Sequence, residues 1–295
     1  MSVFWGLNAV GSKVLYRPDG AHFDAIGLFV ARSAWTLPIF LVMMVTARPR
    51  GGIAREDWWK IAVLGVCFGP GTTGVFALGA QHTSGAHVVM LFSLAPAVTA
   101  VISVFALGER MTLARGAAFA FGIAGAALLT FGHASGGSHP YGDALILVMV
   151  LSFSILTVIV RSIGREKRYA PLFLTGTYGT LGTLILVVFG IAIGRGSAIM
   201  QPLTPHLDTL LWFFGLMVLG LSIIAQVAQV FVLRRLGATA FSVVSSYASL
   251  LVGIAGAVLI LHETLTPIVL IAGSSLAIAL GLAVLPDRPN RERAR

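Results

Sequence analysis

Residues 84–112 read SGAHVVMLFSLAPAVTAVISVFALGERMT, and residues 238–266 read ATAFSVVSSYASLLVGIAGAVLILHETLT. Each stretch is an apolar run of about 20 residues, the length that crosses a bilayer as a helix, followed by a short polar turn. A shift of 154 residues aligns the two stretches and places Glu109 on Glu263 and Thr112 on Thr266. The recurrence of helix, Glu-x-x-Thr and helix indicates an internal duplication.

The overall composition is that of a protein whose solvent is lipid. Of 295 residues, 57% are hydrophobic and only 11% are charged. The net charge of +9 comes from Lys and Arg residues that flank apolar runs, without the stripe of basic and aromatic residues that binds nucleic acid. We therefore expect a multi-pass, monomeric protein in contact with the lipid bilayer, with no nucleic-acid partner.

Ten hydrophobic segments, separated by polar or Gly/Pro-rich breaks, are predicted to be transmembrane helices. They lie near residues 2–16, 22–46, 58–80, 84–107, 111–132, 141–163, 171–194, 208–233, 238–261 and 265–285. The predicted fold is thus an all-α polytopic membrane protein. No cleavable signal peptide is expected, because the first apolar stretch runs directly into Lys13 without a small-residue cleavage site.

The basic residues predict the orientation of these helices. Of the 20 Lys and Arg residues, 16 fall on one side of the ten-helix arrangement, whereas Lys13, Arg17 and Arg195 fall on the other. Lys and Arg accumulate in cytoplasmic loops, so both termini are expected in the cytoplasm, and the protein in the inner (cytoplasmic) membrane. An even number of helices is required for that arrangement.

Five helices in each half is an odd number, so the two halves must have opposite orientations. The predicted halves are residues 1–137 and residues 138–295, the second ending in a short basic tail. Inverted repeats are the architecture of secondary transporters, which bind substrate near the midplane between the halves. A structural interpretation of the Glu-x-x-Thr turns stays open, since Thr112 and Thr266 are also suitable helix N-caps and Glu109 and Glu263 would then be helix-end features.

Several short motifs keep a characteristic order along the chain. They are Trp5-Gly6, Lys13, Arg32, Ala77-Leu78, Gly85-Ala86, Pro96, Gly108-Glu109-Arg110 and Gly116. In this order they resemble the EamA type of the drug/metabolite transporter superfamily, and within it the amino-acid exporters. The resemblance implies a basket of two inverted five-helix halves that exports amino acids or similar metabolites through a central cavity. The second half departs from the pattern, with Leu250 where a second Pro96 would lie.

Polar side chains within the predicted spans are candidates for the wall of a substrate cavity, because they are costly in lipid unless they face protein or water. In the first, sixth and eighth helices these candidates are Trp5, Asn8, Ser12, Ser154, Gln226 and Gln229. In the ninth helix, a hydroxyl stripe with i, i+3, i+4, i+7 spacing comprises Ser242, Ser245, Ser246 and Ser249. Close helix packing by small residues is the alternative interpretation of the stripe, and bridging between helices is the alternative for the glutamines.

Pro96 is predicted to kink the fourth helix, because proline removes a backbone hydrogen bond and clashes with the preceding turn. The kink would place Phe92 and Ser93 at mid-membrane depth, and Tyr247 is expected at the same depth in the corresponding helix of the other half. These aromatic residues line a cavity or simply pack in the core.

Charged and ionisable groups near or within the spans have two interpretations each. Lys13 either extends to the interface or faces the path. Arg32 lies deep in the second helix, where it needs a carboxylate or carbonyl partner or else binds a substrate carboxylate. His87 could titrate during transport, although an interfacial histidine is more often solvated.

The sequence also argues against other functions. All 11 Asp and Glu residues lie in predicted loops or near helix ends, which disfavours an antiporter for organic cations, since that activity needs an acid in the membrane. No span contains a nucleophile with a base, or a His/Asp cluster, so neither an enzyme nor a metal or other cofactor is expected. A multidrug or other solute permease of the same fold, and less readily a channel, are the alternative functions.

Overall fold

The computed structural model describes residues 2–16, 23–49, 51–108, 113–131, 139–165, 169–203, 207–235, 238–262 and 266–284. Within these ranges the regular structure is helical and no strand occurs. The α-helices of the first predicted half are α1 Ser2–Leu15, α2 Ala25–Thr46, α3 Trp58–Val66, α4 Val75–His82, α5 Gly85–Phe92, α6 Ala95–Leu107 and α7 Leu113–Phe131. Those of the second half are α8 Pro140–Arg165, α9 Pro171–Ala192, α10 Leu207–Leu210, α11 Gln226–Arg235, α12 Ala238–Leu259 and α13 Pro267–Val284.

Two of the predicted spans contain π-helix. Cys67–Gly74 joins α3 to α4, and Leu211–Ala225 joins α10 to α11. The first of these contains Pro70, which cannot donate a backbone hydrogen bond, and three glycines besides. π-Helical turns inside longer helices occur frequently at functional sites, because they shift the faces that the flanking turns present.

The described residues contain six helical stretches that are long and apolar enough to cross a membrane. They are Ala25–Thr46, Arg55–His82, Gly85–Ala106, Pro140–Gly164, Pro171–Ala192 and Leu207–Leu233. The total of ten membrane crossings stays a prediction.

The predicted break in the fourth span is confirmed. Helix α5 ends at Phe92, a turn covers Ser93 and Leu94, and α6 begins at Ala95 with Pro96 in its first turn. Helix α12 runs without interruption through Leu250, as its leucine in place of proline predicts. The helix is therefore broken in the stretch that contains Pro96 and continuous in the aligned stretch, where Leu250 takes its place.

Close helix crossings hold the bundle together, and glycines form several of them. A Cβ atom at Gly176 would lie 2.5 Å from the backbone nitrogen of Met44, and one at Gly179 would lie 2.6 Å from the Phe40 ring. The same test gives 2.8 Å from Leu276 at Gly125 and from Val10 at Gly256. These four glycines therefore let their helices cross closely. Between the first π-helix and α9, Gly69 and Gly182 approach each other so closely that neither has room for a Cβ atom.

Candidate functional site

The helical bundle contains a partly open cavity with about 70 Å³ of space for the centre of a water-sized molecule. Its described lining comes from α1, α2, α4, α5, α8, α11, α12 and both π-helices. The lining residues are Trp5, Asn8, Arg32, Phe68, Thr72, Thr73, Phe76, Val88, Val89, Phe92, Met149, Phe153, Leu156, Leu221, Gln226 and Ser249. Residues from both predicted halves thus surround one space.

Besides Ser249 of the hydroxyl stripe, four of the predicted site residues line this cavity. Trp5 and Asn8 reach it from α1, Phe92 from the last turn of α5, and Gln226 from the first residue of α11. Arg32 also lines the cavity. A bond to another protein group and binding of a substrate carboxylate were the two interpretations of this residue. Trp5, Asn8 and Arg32 lie in helices that neighbour each other in sequence. Gln226 lies 194 residues after Arg32, so only folding brings it to them.

Arg32 is 8% exposed and its partner is neutral. Its Nε atom donates to the Ser222 hydroxyl at 2.9 Å, and that hydroxyl in turn donates to the carbonyl oxygen of Met217 at 2.9 Å. The sequence predicted a carboxylate or carbonyl partner for this guanidinium, whereas in the described structure a hydroxyl takes that place. A hydroxyl fixes the orientation of Arg32 without neutralising its charge.

The two amide side chains of the site, Asn8 and Gln226, differ in their hydrogen bonding. The Oδ1 atom of Asn8 is buried and has no hydrogen-bond partner among the described residues. The Oε1 atom of Gln226 accepts from the Tyr178 hydroxyl at 3.3 Å, a weak contact that ties α11 to α9. A buried acceptor without a partner is costly in a low-dielectric interior. The Oδ1 atom of Asn8 can therefore accept a hydrogen bond from a donor group on a ligand.

Aromatic rings form one wall of the cavity. The Trp5 ring centroid lies 5.1 Å from that of Phe153 and 6.1 Å from that of Phe92, both edge-to-face, and Phe92 lies 5.1 Å from Phe153. Behind them, fully buried Phe241 contacts Trp5 with centroids 6.0 Å apart. Edge-to-face clusters are rigid, so this wall offers a fixed apolar surface.

The other predicted site residues whose side chains are described do not line the cavity. They are Ser12, Ser93, Pro96, Ser154, Gln229, Ser245 and Ser246, all buried in helix packing. Ser93 donates to the carbonyl oxygen of Met90 at 2.6 Å, Ser154 to that of Ala95 at 3.3 Å, and Gln229 Nε2 to the Thr157 hydroxyl at 3.5 Å. The contacts of these residues fit the alternative interpretations, which were packing and bridging between helices, better than a place in the cavity wall.

The hydroxyl stripe of α12 reaches the cavity through Ser249 alone among its described side chains, since Ser245 and Ser246 face neighbouring helices. The side chains of Ser242 and Tyr247, and residues Glu109 and Glu263, lie outside the described part of the structure. Lys13 is half-buried near the end of α1 and does not line the cavity.

Sequence analysis missed the contribution of the third span. Phe68, Thr72 and Thr73 in the first π-helix and Phe76 in α4 all line the cavity. The available signal was the run Gly69-Pro70-Gly71-Thr72-Thr73-Gly74, because a Gly/Pro-interrupted stretch within an apolar segment is a pointer to the binding site of a transporter.

A second polar cluster, outside the cavity lining, joins α8 to the turn between α4 and α5. The His87 Nδ1 atom lies 3.2 Å from Asp143 Oδ2, and the Thr83 hydroxyl donates to Asp143 Oδ1. The three side chains are at most 3% exposed. The interpretation of His87 as a solvated interfacial residue is therefore wrong, because α8 covers it.

At the opposite end of the third span, a buried aspartate makes a similar connection. Asp57 Oδ2 accepts from the Tyr169 hydroxyl at 2.8 Å, and Asp57 Oδ1 lies 3.0 Å from Lys60 Nζ. The Tyr169 hydroxyl also accepts from the Ala54 backbone N–H at 2.9 Å. This cluster ties the start of α3 to the segment that precedes α9.

With this geometry in view, comparison with known proteins is informative. Residues 1–131 match the model of the EamA-like transporter family. The match covers the first of the two predicted halves and agrees with the resemblance found in the sequence motifs.

Curated relatives extend the similarity beyond that half. The uncharacterized transporter YoaV of Bacillus subtilis is 25% identical over 193 residues, 64% of this chain and 63% of its own. A chloroplastic WAT1-related protein of Arabidopsis thaliana is 25% identical over 64% of this chain and 45% of its own. The uncharacterized transporter YdeK of Bacillus subtilis is 34% identical over 146 residues, 48% of each chain. The aligned region thus spans between 45% and 63% of the length of these relatives.

One solved protein crystal structure shares the fold over nearly its whole length. It aligns with 96% of this chain and 98% of its own at a TM-score of 0.60 and 17% sequence identity. At that identity the likeness concerns the helical architecture alone.

Proposed function

We propose that the protein is an EamA-type membrane transporter that exports amino acids or similar small metabolites from the cytoplasm by alternating access. The observation that carries the proposal is the internal cavity, whose polar groups Asn8, Arg32 and Gln226 come from both predicted halves. A site shared by two halves changes its access when one half moves against the other. The match of residues 1–131 to a transporter family adds to this argument.

Two inverted halves, residues 1–137 and 138–295, are part of the proposal. In such a repeat, a residue that contacts its own equivalent lies on the two-fold axis. The Ser275 hydroxyl donates to the carbonyl oxygen of Phe121 at 3.0 Å, and these residues are 154 positions apart, the shift that aligns the two halves. Helices α7 and α13, which contain them, are the last of each half.

A second pair of contacts supports the same symmetry. On α12, the carbonyl oxygen of Ser249 faces Gly6, where a Cβ atom would lie only 2.7 Å away. On α6, the carbonyl oxygen of Ala95, 154 residues earlier, accepts from Ser154. Equivalent carbonyl groups thus meet the first helix of the opposite half, α1 in one case and α8 in the other.

The two buried aspartate clusters provide the connections that alternating access has to break in turn. Asp143 ties helix ends together at one end of the bundle, and Asp57 does so at the other. With the basic residues of the loops in the cytoplasm, the Asp57 end faces the cytoplasm and the Asp143 end faces outward. Under the same rule ten helices leave both termini inside.

Reconstituted protein provides the direct test. In proteoliposomes we expect saturable flux of at least one amino acid or related metabolite from a broad solute panel. Asn8→Ala combined with Gln226→Ala should reduce that flux at sub-saturating solute about tenfold or more, because each removed hydrogen bond to a desolvated substrate contributes about 0.5–1.5 kcal/mol.

Gln229→Ala is the matched control, since Gln229 has the same side chain on the same helix but contacts Thr157 instead of the cavity. We expect it to retain flux per folded molecule. Full flux in the Asn8/Gln226 double variant would refute the site. Absence of saturable flux across the whole panel would refute the transporter, and unsaturable ion currents would favour a channel.

A further inference from the structure

The cavity contains an uncompensated positive charge. Arg32 is the one charged residue in the described lining, and neither Asp nor Glu occurs among the lining residues. Its hydrogen-bond partner Ser222 is neutral. A guanidinium in a low-dielectric interior is unfavourable without an anion, so the site is electrostatically suited to a ligand with one negative charge.

The geometry of Arg32 specifies what kind of anion fits. Its Nε–H is used by Ser222, which leaves the N–H groups of Nη1 and Nη2 without a hydrogen-bond partner among the described residues. Those two nitrogens form the end of a planar fork that binds the two oxygens of a carboxylate. Because Ser222 donates its own proton to the carbonyl oxygen of Met217, its oxygen is oriented to accept from Nε–H, and this contact fixes the guanidinium on the side away from Nη1 and Nη2.

The aromatic part of the lining determines the rest of the ligand. Trp5, Phe92 and Phe153 present the edge-to-face aromatic cluster, and Phe68 and Phe76 extend the apolar lining from the third span. Flat apolar groups pack favourably against such rings. The amide groups of Asn8 and Gln226 are neutral, and the described lining offers no carboxylate to pair with an ammonium group.

We propose that the cavity selects organic monocarboxylates with a flat apolar body, bound through a bidentate carboxylate–Arg32 contact, and that an ammonium group on the substrate is dispensable. This inference rests on the proposed transport function and specifies its substrate class. One fixed charge in the site matches one charge on the ligand. A second carboxylate would enter the cavity without a cation to pair with it.

A panel of solutes that share one phenyl ring separates the contributions of the charged groups. The probes are phenylalanine, 3-phenylpropanoate, phenethylamine and phenylsuccinate, each assayed for flux in proteoliposomes that contain the unmodified protein. We expect saturable flux of phenylalanine and 3-phenylpropanoate, with half-saturation concentrations within about tenfold of each other because the ammonium adds no ion pair. Phenethylamine and phenylsuccinate should be transported at least tenfold less efficiently.

Substitution of Arg32 tests the contact itself. Arg32→Gln should weaken 3-phenylpropanoate transport about tenfold to a hundredfold, the contribution of a charge-assisted hydrogen-bond pair, and Arg32→Lys should lose less because it keeps the charge without the fork. Arg161→Gln is the control. Arg161 also lies in a span, but its Nη1 atom donates to the carbonyl oxygen of Leu233 and it does not line the cavity.

Several outcomes would overturn the inference without affecting the proposed function. They are equal transport of phenethylamine and 3-phenylpropanoate, a strict requirement for the ammonium group, or saturable flux of other metabolites with none of the phenyl carboxylates. If Arg32→Gln does not fold, the solute panel on the unmodified protein still decides between carboxylate and amine. The proposed function fails only if no solute of either panel shows saturable flux.

Discussion

The Asp57 and Asp143 clusters have similar burial but different partners. Asp57 is 2% exposed and its cation, Lys60, is 21% exposed, so water reaches the ammonium group. Asp143 is 1% exposed and its partner His87 is 3% exposed, so the whole pair is closed off from solvent. A polar contact that water can replace is weak, whereas one sealed in the interior is costly to break. The two ends of the bundle are therefore held with unequal strength.

Asp143→Ala should have the largest effect of three substitutions that test this comparison. It leaves His87 buried without its carboxylate, and a buried group that loses its partner costs about 1–3 kcal/mol. We expect the largest fall in the thermal unfolding midpoint of the detergent-solubilised protein. Asp208→Asn, at an exposed site on α10, is the control and should leave the midpoint unchanged. An Asp143→Ala protein as stable as the parent would show that this cluster does not hold the helix ends.

Tyr169→Phe should have an intermediate effect. The substitution preserves the ring packing on Phe173 and removes one hydroxyl, which leaves Asp57 Oδ2 and the Ala54 N–H without that partner. Because Asp57 keeps Lys60, we expect a loss of about 1–2 kcal/mol, measured as a smaller fall in the same midpoint. A loss larger than that of Asp143→Ala would reverse the order of the two ends.

Lys60→Met should have the smallest effect. The ion pair is partly open to water, and such pairs contribute about 0–1 kcal/mol. We expect a midpoint within the error of the parent protein, with Tyr169 still bound to Asp57. A large loss would mean that Asp57 depends on the lysine despite its exposure.

The same variants also test whether the two clusters control access to the cavity. In a Cys67→Ser background, Ser249→Cys places a thiol in the cavity lining. If the clusters hold opposite ends shut, Asp143→Ala should accelerate labelling by a membrane-impermeant maleimide from the outer side, and Tyr169→Phe from the cytoplasmic side. If each variant accelerated labelling equally from both sides, the clusters would not control which side of the cavity is open.

Parts of the cavity wall were accessible from the sequence because single residues carry a strong physical constraint. Asn8 and Gln226 were identified because an amide within an apolar span must face protein or water. Pro96 was expected to break its helix because it lacks an N–H group, and α5 does end just before it. Ser12 and Gln229 met the same polarity criterion but pack between helices instead, since periodicity defines a face of a helix and not what that face contacts.

Hydropathy and single residues were enough to predict helices and the break at Pro96, since these features depend on residues near each other in the chain. The packing of the helices was needed to show that Arg32 lines a cavity and bonds to a neutral partner 190 residues away. It also brings Asp143 into contact with His87, 56 residues earlier in the chain. The π-helical turns also escaped the sequence, because a shift in backbone hydrogen bonding leaves hydropathy unchanged. Contacts between distant segments depend on how helices pack, and that information is spread over the whole chain.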